Sequence, residues 1–75
     1  MRVTVLHFAT LRELRGCAQE NVDLPDGTTV AGAYAALGLP PALPVAFAVN
    51  LTRVAGHTAL ADGDEVAFLP PLGGG

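Results

Sequence analysis

The residues best suited to chemistry lie at the C-terminal end of the sequence, where Pro70-Pro71-Leu72 leads into Gly73-Gly74-Gly75. The prolines restrict the backbone at the base of this segment, whereas glycine carries no side chain and adopts any backbone angle that a narrow cleft imposes. The four residues after Pro71 extend by at most about 14 Å. We therefore predict that this tail, residues 72 to 75, inserts into a cleft of another protein.

The reacting group of such a tail would be the α-carboxylate of Gly75. A carboxylate with a pKa of about 3.3–3.7 is ionised at neutral pH and is a poor electrophile, so it must first be activated, for instance as an acyl-adenylate. The sequence contains no GxxxxGK[ST] phosphate-binding loop, and its terminal glycines precede no helix. We therefore expect the activating enzyme to be a separate protein and this chain to be the carried substrate, with no catalytic residue of its own.

The other reactive side chains predict little chemistry. The sequence contains neither serine nor lysine, which excludes a serine nucleophile and Schiff-base chemistry. Cys17 follows the end of a predicted helix, where the helix dipole disfavours a thiolate. The two histidines, His7 and His57, are far apart in the sequence, so no cluster of cysteines and histidines has metal-ligand spacing. The sequence also has a cluster of acidic residues, Asp62, Asp64 and Glu65. This pattern is more typical of a turn at the start of a strand than of a cation site.

Composition narrows the class of protein. The chain has 75 residues, of which 51% are hydrophobic and 15% charged, and this excludes charge-driven disorder. A net charge of −3 without a basic cluster argues against nucleic acid as a partner. Residues 27 to 52 carry no charge, but three prolines interrupt them, so we predict no membrane span. With one cysteine and no signal peptide pattern, a cytoplasmic location is expected.

The first half of the chain predicts a strand, a short helix, a second strand and a longer helix. Alternation over residues 2 to 8 and again over 19 to 24 favours two paired strands. Between them, Thr10 and Glu13 have the spacing of a capping box, and Gly16 is suited to end the helix. Thr29 is a candidate N-cap for a helix over residues 30 to 37, which Gly38 and the following prolines end.

The second half predicts three strands, over residues 45 to 49, around residues 53 and 54, and over residues 65 to 69. With so few helices, only one face of the sheet can be covered, so the class is α+β. We predict a ubiquitin-like β-grasp fold, with a mixed sheet of about five strands packed on one main helix and a short one. The domain would span residues 1 to 72 and the flexible tail residues 73 to 75. The expected core residues are Val3, Val5, Val30, Tyr34, Leu37, Val66 and Phe68.

Three blocks of the sequence carry a resemblance to a known family. They are residues 8–16 (FATLRELRG), residues 48–50 (AVN) and residues 60–75 (LADGDEVAFLPPLGGG), of which the last is the most specific. Together with the order of the predicted elements, they span essentially the whole chain. The sequence resembles the ubiquitin-like sulfur carriers, and among them the small subunits of molybdopterin synthase.

The resemblance implies that Gly75 is adenylated by an E1-like enzyme using Mg-ATP and is then converted to a thiocarboxylate. The sulfur donor would be a protein such as a cysteine desulfurase or a rhodanese-like protein, and this chain would bind no cofactor and no metal. The tail would enter the catalytic large subunit of a heterotetramer, where its sulfur passes to a cyclic pyranopterin monophosphate to build the dithiolene of molybdopterin. The positions implied for partner contacts are Phe8, Arg12, Leu69, Pro70 and Pro71.

Two alternatives stay open at this point. The chain also resembles the thiamine-pathway sulfur carrier, which has the same fold and the same terminal Gly-Gly, although residues 11–14 (LREL) and the Pro70-Pro71 pair favour the molybdopterin branch. The other alternative is a β-grasp interaction module whose tail performs no chemistry. One departure from the family pattern is Gly73. At this position, before the terminal pair of glycines, the family often has a small polar residue that is larger than glycine. Glycine here makes the tail more flexible.

Overall fold

The computed structural model describes residues 1–71, which form five strands and two short helices. In chain order they are β1 (Arg2–His7), α1 (Ala9–Arg15), β2 (Gln19–Asp23), α2 (Val30–Ala36), β3 (Ala46–Val49), β4 (Thr52–Val54) and β5 (Glu65–Leu69). The order predicted from the sequence is confirmed, and the strand boundaries and that of α2 differ from the predicted ones by no more than a residue or two. Leu72 and the three glycines lie outside the described residues, so the predicted domain boundary and tail are not tested by the structure.

The strands form one mixed sheet in the order β2-β1-β5-β3-β4. β1 and β5, the first and last strands, are parallel neighbours, with His7 opposite Phe68, and the other strand pairs are antiparallel. This arrangement, with α2 packed across one face, is the predicted β-grasp plan, and the α+β class is confirmed. Because β1 and β5 run in the same direction, the chain leaves β5 beside the start of the β1 to α1 connection.

The core lies between the sheet and α2. The strand residues Val3, Val5, Val66 and Phe68 are at most 1% exposed. Period-2 alternation places these side chains on one face, where they contact the apolar side of α2. The ring of Phe68 lies edge-on to Tyr34, with centroids 5.2 Å apart. The predicted core is therefore confirmed, with Leu37 half-buried at its edge.

Three of the four predicted helix-terminal signals are confirmed and one is wrong. Gly38 follows the end of α2 in the left-handed conformation, with φ 69°. Gly16 ends α1 in the left-handed conformation, with φ 73°. The Thr29 hydroxyl caps α2 by accepting a hydrogen bond from the Gly32 amide at 3.0 Å. The capping box at Thr10 does not form, because α1 begins at Ala9 and Thr10 already lies inside its first turn. Phe8 occupies the N-cap position, and its carbonyl accepts the first helical hydrogen bonds from Leu11 and Arg12.

Candidate protein-docking site

The face of the sheet that points away from α2, which we call the open face, carries an apolar groove of about 260 Å³. Each strand that buries one set of side chains against α2 must present the alternate set here. The register places Leu6, Ala67 and Ala48 side by side on neighbouring strands, and they form the floor. The complete lining consists of Leu6, Phe8, Ala48, Leu51, Arg53, Glu65, Ala67 and Leu69. An uncovered apolar surface rimmed by charges is the usual form of a protein-binding site.

Two of the residues singled out in the sequence, Phe8 and Leu69, meet in this groove. The parallel pairing of His7 with Phe68 places the residues that follow them next to each other at the same end of the sheet. Phe8 has an extended backbone and leaves 44% of its surface exposed. Leu69 is half-buried, and it is the last residue of β5 before the chain continues toward the tail.

The prolines after β5 differ in their surroundings. Pro70 is buried, whereas Pro71 is exposed. Pro70 thereby fixes the direction in which the chain leaves the sheet, and Pro71 is accessible to a partner. Leu72, Gly73, Gly74 and Gly75, which the sequence predicts to insert into a cleft, lie outside the described residues.

Arg12 does not share the groove with Phe8 and Leu69. It lies on α1 and lines a separate surface depression together with Glu13 and Cys17. Arg53 is the arginine that borders the groove, and no sequence pattern singled it out. Period-2 alternation in β4 was the signal that could have placed Arg53 on the open face, but a strand of three residues is too short to show it clearly.

The groove ends at the turn between β3 and β4, where Leu51 is 91% exposed. Asn50 and Leu51 both have positive φ, 49° and 71°. The Asn50 side chain donates a hydrogen bond to the Asp64 carboxylate at 3.0 Å and accepts one from the Glu65 amide at 3.0 Å. The turn is therefore attached to the beginning of β5 by side-chain hydrogen bonds as well as by the sheet.

Asp62 and Asp64 belong to the turn that precedes β5. The Asp62 carboxylate accepts a hydrogen bond from the Arg2 amide at 2.7 Å, and the Asp64 carboxylate accepts one from the Ala61 amide at 2.8 Å. These bonds close the turn and connect it to β1. The contacts support the interpretation of this acidic run as a turn at a strand entrance.

A polar cluster that the sequence analysis missed joins β1, α1 and β2. His7 is 1% exposed, and its Nε2 lies 2.7 Å from Oε2 of Glu20. Arg15 donates to both oxygens of the same carboxylate, at 2.8 and 2.7 Å. The Arg15 hydrogen bonds lower the pKa of Glu20 from 4.5 to about 2, against the opposing effect of burial, and the His7 hydrogen bond lowers it further. The carboxylate is thus firmly ionised at neutral pH.

The donor atoms of His7, Cys17 and Glu20 lie within 4.8 Å of one another, which is the spacing of a candidate metal site within residues 1–71. Oε2 of Glu20 already accepts hydrogen bonds from His7 and Arg15. Nδ1 of His7 is buried and has no hydrogen-bond partner among the described residues, whereas a metal-bound imidazole normally donates its other N–H to a partner. The cluster therefore fits a structural contact between three elements better than a metal centre.

No described helix is both long enough and apolar enough to cross a membrane. The longest helices, α1 and α2, have seven residues each. A membrane-spanning helix requires about 20 residues.

The sequence is similar to known proteins over nearly its whole length, including the groove residues and the tail. The sequence model of the ThiS family matches residues 5–75. The molybdopterin synthase sulfur carrier subunit of Chlamydomonas reinhardtii is 39% identical over 83 aligned residues, and the alignment covers 100% of both chains.

Solved structures show the same fold. SAMP1 from Haloferax volcanii has a TM-score of 0.82 and 30% identity, with 100% of both chains covered. A chain from the protein–protein complex of subunits 1 and 2 of the molybdopterin-converting factor of Helicobacter pylori has a TM-score of 0.65 and 26% identity, also with 100% of both chains covered.

Proposed function

The chain belongs to the ThiS family, and from this membership we propose that it is the sulfur carrier subunit of a molybdopterin synthase. The observation that carries the proposal is the full-length similarity, 39% identity, to a sulfur carrier subunit of that enzyme. The similarity to a chain from a complex of two converting-factor subunits supports a large subunit as the partner. The cytoplasm is the proposed location, because the single cysteine, Cys17, is free and forms no internal disulfide.

Gly75 is the proposed reacting residue. An E1-like enzyme uses Mg-ATP to convert its carboxylate to an acyl-adenylate, which makes the carbonyl carbon a good electrophile. The outer sulfur of a persulfide on a sulfur donor, such as a cysteine desulfurase or a rhodanese-like protein, then attacks this carbon and displaces AMP. A second thiol cleaves the resulting acyl disulfide, which leaves the thiocarboxylate on Gly75 and a disulfide on the proteins that supplied the two thiols. The thiocarboxylate gives its sulfur to a cyclic pyranopterin monophosphate, and two such transfers complete the dithiolene of molybdopterin.

In this scheme residues 1–71 provide binding surface, and the catalytic residues belong to the large subunit. The groove with Phe8 and Leu69 is the proposed contact for that subunit, because Leu69 directly precedes the prolines from which the tail departs. Pro70 and Pro71 direct Leu72, Gly73 and Gly74 into the cleft of the large subunit. Arg12 is a proposed second contact, on a different surface. Two carriers and two large subunits form the proposed heterotetramer.

Intact-mass analysis tests the proposal. The purified chain is incubated with Mg-ATP, its activating enzyme and a sulfur donor, and is then mixed with the large subunit and the pterin precursor. We expect an adenylate, then an exchange of oxygen for sulfur at Gly75, then formation of dithiolene. A chain without Gly75 should fold and yet transfer no sulfur, whereas Leu14→Ala, on the exposed side of α1, should behave as wild type.

Three outcomes would contradict the proposal. Sulfur transfer by the chain that lacks Gly75 would remove the reacting residue. A thiocarboxylate that supports thiazole formation and does not convert the pterin precursor would assign the chain to thiamine synthesis. Absence of any adenylate with a competent activating enzyme would favour an interaction module without chemistry.

A second candidate function is covalent modification of other proteins. It is favoured by the similarity to SAMP1, a small archaeal modifier protein, at 30% identity. The same activated Gly75 would then acylate an amine of a target protein. These 75 residues contain no lysine, so the chain offers no ε-amine for attaching a second copy of itself. Mass spectrometry of tryptic peptides from the host distinguishes the two functions, because only a modifier leaves its C-terminal residues on target lysines.

A further inference from the structure

We propose that the turn between β3 and β4 is a second docking point for the protein that receives the tail. Leu51 would enter an apolar pocket on that protein, and Arg53 would pair with a carboxylate beside the pocket. Asn50 acts as the positioning residue that holds the turn in place. This inference rests on the proposed function, because it takes the large subunit of the synthase as the protein that receives the tail.

Leu51 has the features of an anchor without a partner. It is 91% exposed, and its positive φ of 71° is a conformation that costs free energy for any residue with a side chain. Asn50 precedes it with a φ of 49°. A turn that served only to connect two strands usually has glycine after such an asparagine, so Leu51 is the residue that departs from the common pattern. An exposed leucine held in this conformation presents apolar surface that only another molecule can cover.

The turn is held in one position relative to β5. The Asn50 amide nitrogen of the main chain donates to the Glu65 carbonyl at 2.8 Å, and the Glu65 amide donates to the Asn50 side-chain oxygen at 3.0 Å. The Asn50 side-chain nitrogen donates to Asp64 at 3.0 Å. Leu51 is therefore presented with little freedom in its backbone, which lowers the entropy that docking must remove.

Arg53 supplies the charged part of the docking point. It lies on the open face directly beside Ala48, in the same cross-strand row as the groove floor. Arg2 and Arg15 each pair with a carboxylate, whereas Arg53 has no ion pair within residues 1–71. A guanidinium next to an apolar surface binds a carboxylate strongly once water is excluded, so the complementary group is an Asp or Glu of the partner.

The groove runs from Leu69, near the base of the tail, to Leu51 in the turn, so one protein that covers the groove contacts both ends. β4 is two strands away from β5 in the sheet, about 10 Å at the usual strand spacing, and the turn lies beside Glu65, at the opposite end of β5 from Leu69 and so about 13 Å further along the strand. The four residues after Pro71 reach at most about 14 Å, so the cleft that receives Gly75 is held close to the end of β5. A protein of ordinary size placed there also covers the groove out to Leu51 and Arg53.

Binding to the purified large subunit tests this inference. We expect Leu51→Ala to raise the Kd about tenfold, because the variant removes the apolar side chain that enters the pocket of the partner. Leu14→Ala is the matched control, since Leu14 is another exposed leucine, 57% accessible, on α1 outside the groove. Its Kd should equal that of wild type. Both leucines are exposed, so thermal unfolding should be unchanged in either variant.

The charge of Arg53 is tested separately, through the dependence of the association rate on ionic strength. Arg53→Gln should slow association and reduce its dependence on ionic strength, whereas Arg53→Lys should retain much of both. Ala35→Glu on the exposed side of α2 also lowers the net charge of −3 by one unit and controls for nonspecific effects. Asn50→Gly should weaken binding with Leu51 still present, because the turn loses its side-chain hydrogen bonds.

The outcomes separate this inference from the proposed function. If wild type binds the large subunit and transfers sulfur, but Leu51→Ala and Arg53→Gln bind as tightly as their controls, the second docking point is wrong and the function stands. If wild type itself neither binds the large subunit nor transfers sulfur, the proposed function is wrong, and this inference is wrong with it.

Discussion

Nε2 of the buried His7 lies 2.7 Å from Oε2 of Glu20, and this contact joins β1 to β2 beneath α1. Arg15 of α1 donates hydrogen bonds to both oxygens of the same carboxylate. The Glu20 side chain therefore connects three elements of the fold, β1, α1 and β2. Nδ1 of His7 has no partner among residues 1–71. Nε2 is the nitrogen that donates to Glu20, because the ionised carboxylate can only accept hydrogen bonds.

The ionised form of Glu20 should make the fold sensitive to acid. Its pKa in the folded chain is about 2, below the ordinary 4.5, so its stabilising effect is complete above about pH 4.5 and is lost as the pH falls toward 2. We expect Glu20→Gln to lower the free energy of unfolding at neutral pH by about 1–3 kcal/mol. Urea unfolding between pH 2 and pH 7 measures this.

Glu13→Gln on the exposed side of α1 is the control for this experiment, because Glu13 forms no ion pair within the described residues. Its unfolding curve should follow that of wild type at every pH. An equal dependence on pH in wild type and Glu20→Gln would contradict the assignment of the acid sensitivity to this carboxylate.

Phe68 is the residue whose truncation should affect the fold most. It is fully buried, and its ring contacts Tyr34 and Phe47 edge-on at centroid distances of 5.2 and 5.9 Å. Phe68→Ala removes these contacts and leaves a cavity, at a cost of about 3–5 kcal/mol. Small domains have only about 5–15 kcal/mol in total, so circular dichroism should show partial or complete unfolding at 37 °C. A fully folded, cooperatively melting variant would show that this ring is not central to the core.

Asn50 should stabilise the β3 to β4 turn in two separable ways. Asn50→Gly tolerates the positive φ but loses the side-chain hydrogen bonds to Asp64 and Glu65. Asn50→Ala loses these hydrogen bonds and also places a residue that disfavours positive φ at this position. We expect Asn50→Ala to cost about 1–3 kcal/mol and Asn50→Gly to cost less. Thermal and urea unfolding measure both. Equal losses in the two variants would mean that the backbone conformation contributes nothing.

Phe8 should matter for binding and little for folding. It leaves 44% of its surface exposed and lies at the end of the groove next to Leu69. We expect Phe8→Ala to weaken binding to the large subunit about tenfold, as for other aromatic anchors. Surface substitutions usually change stability by no more than about 0.5 kcal/mol, and titration calorimetry with urea unfolding checks the two effects. Unchanged affinity would place the contact with the large subunit elsewhere.

The order of the elements, the core and the end of each helix could be predicted from the residues alone. These features depend on local rules: alternation in β1 and β5, the Thr29 hydroxyl at the start of α2, and the tolerance of Gly16 for positive φ. The chemistry proposed for Gly75 also depends only on residue types and on similarity along the chain. The capping box at Thr10 failed within the same rules, because the β1 to α1 connection set the N-cap at Phe8, two residues earlier.

The tertiary structure decided which side chains meet. The parallel register of β1 and β5 placed Phe8 beside Leu69. The antiparallel pairing of β3 and β4 brought Arg53 to the groove, whereas α1 carries Arg12 on another surface. The contact of His7 with Glu20 likewise depends on how β1 and β2 pair. Backbone hydrogen bonds and alternation repeat along a strand whatever its neighbour is, so the sequence of one strand carries little information about its register with the next. Packing of the whole core fixes that register, and the docking surface follows from it.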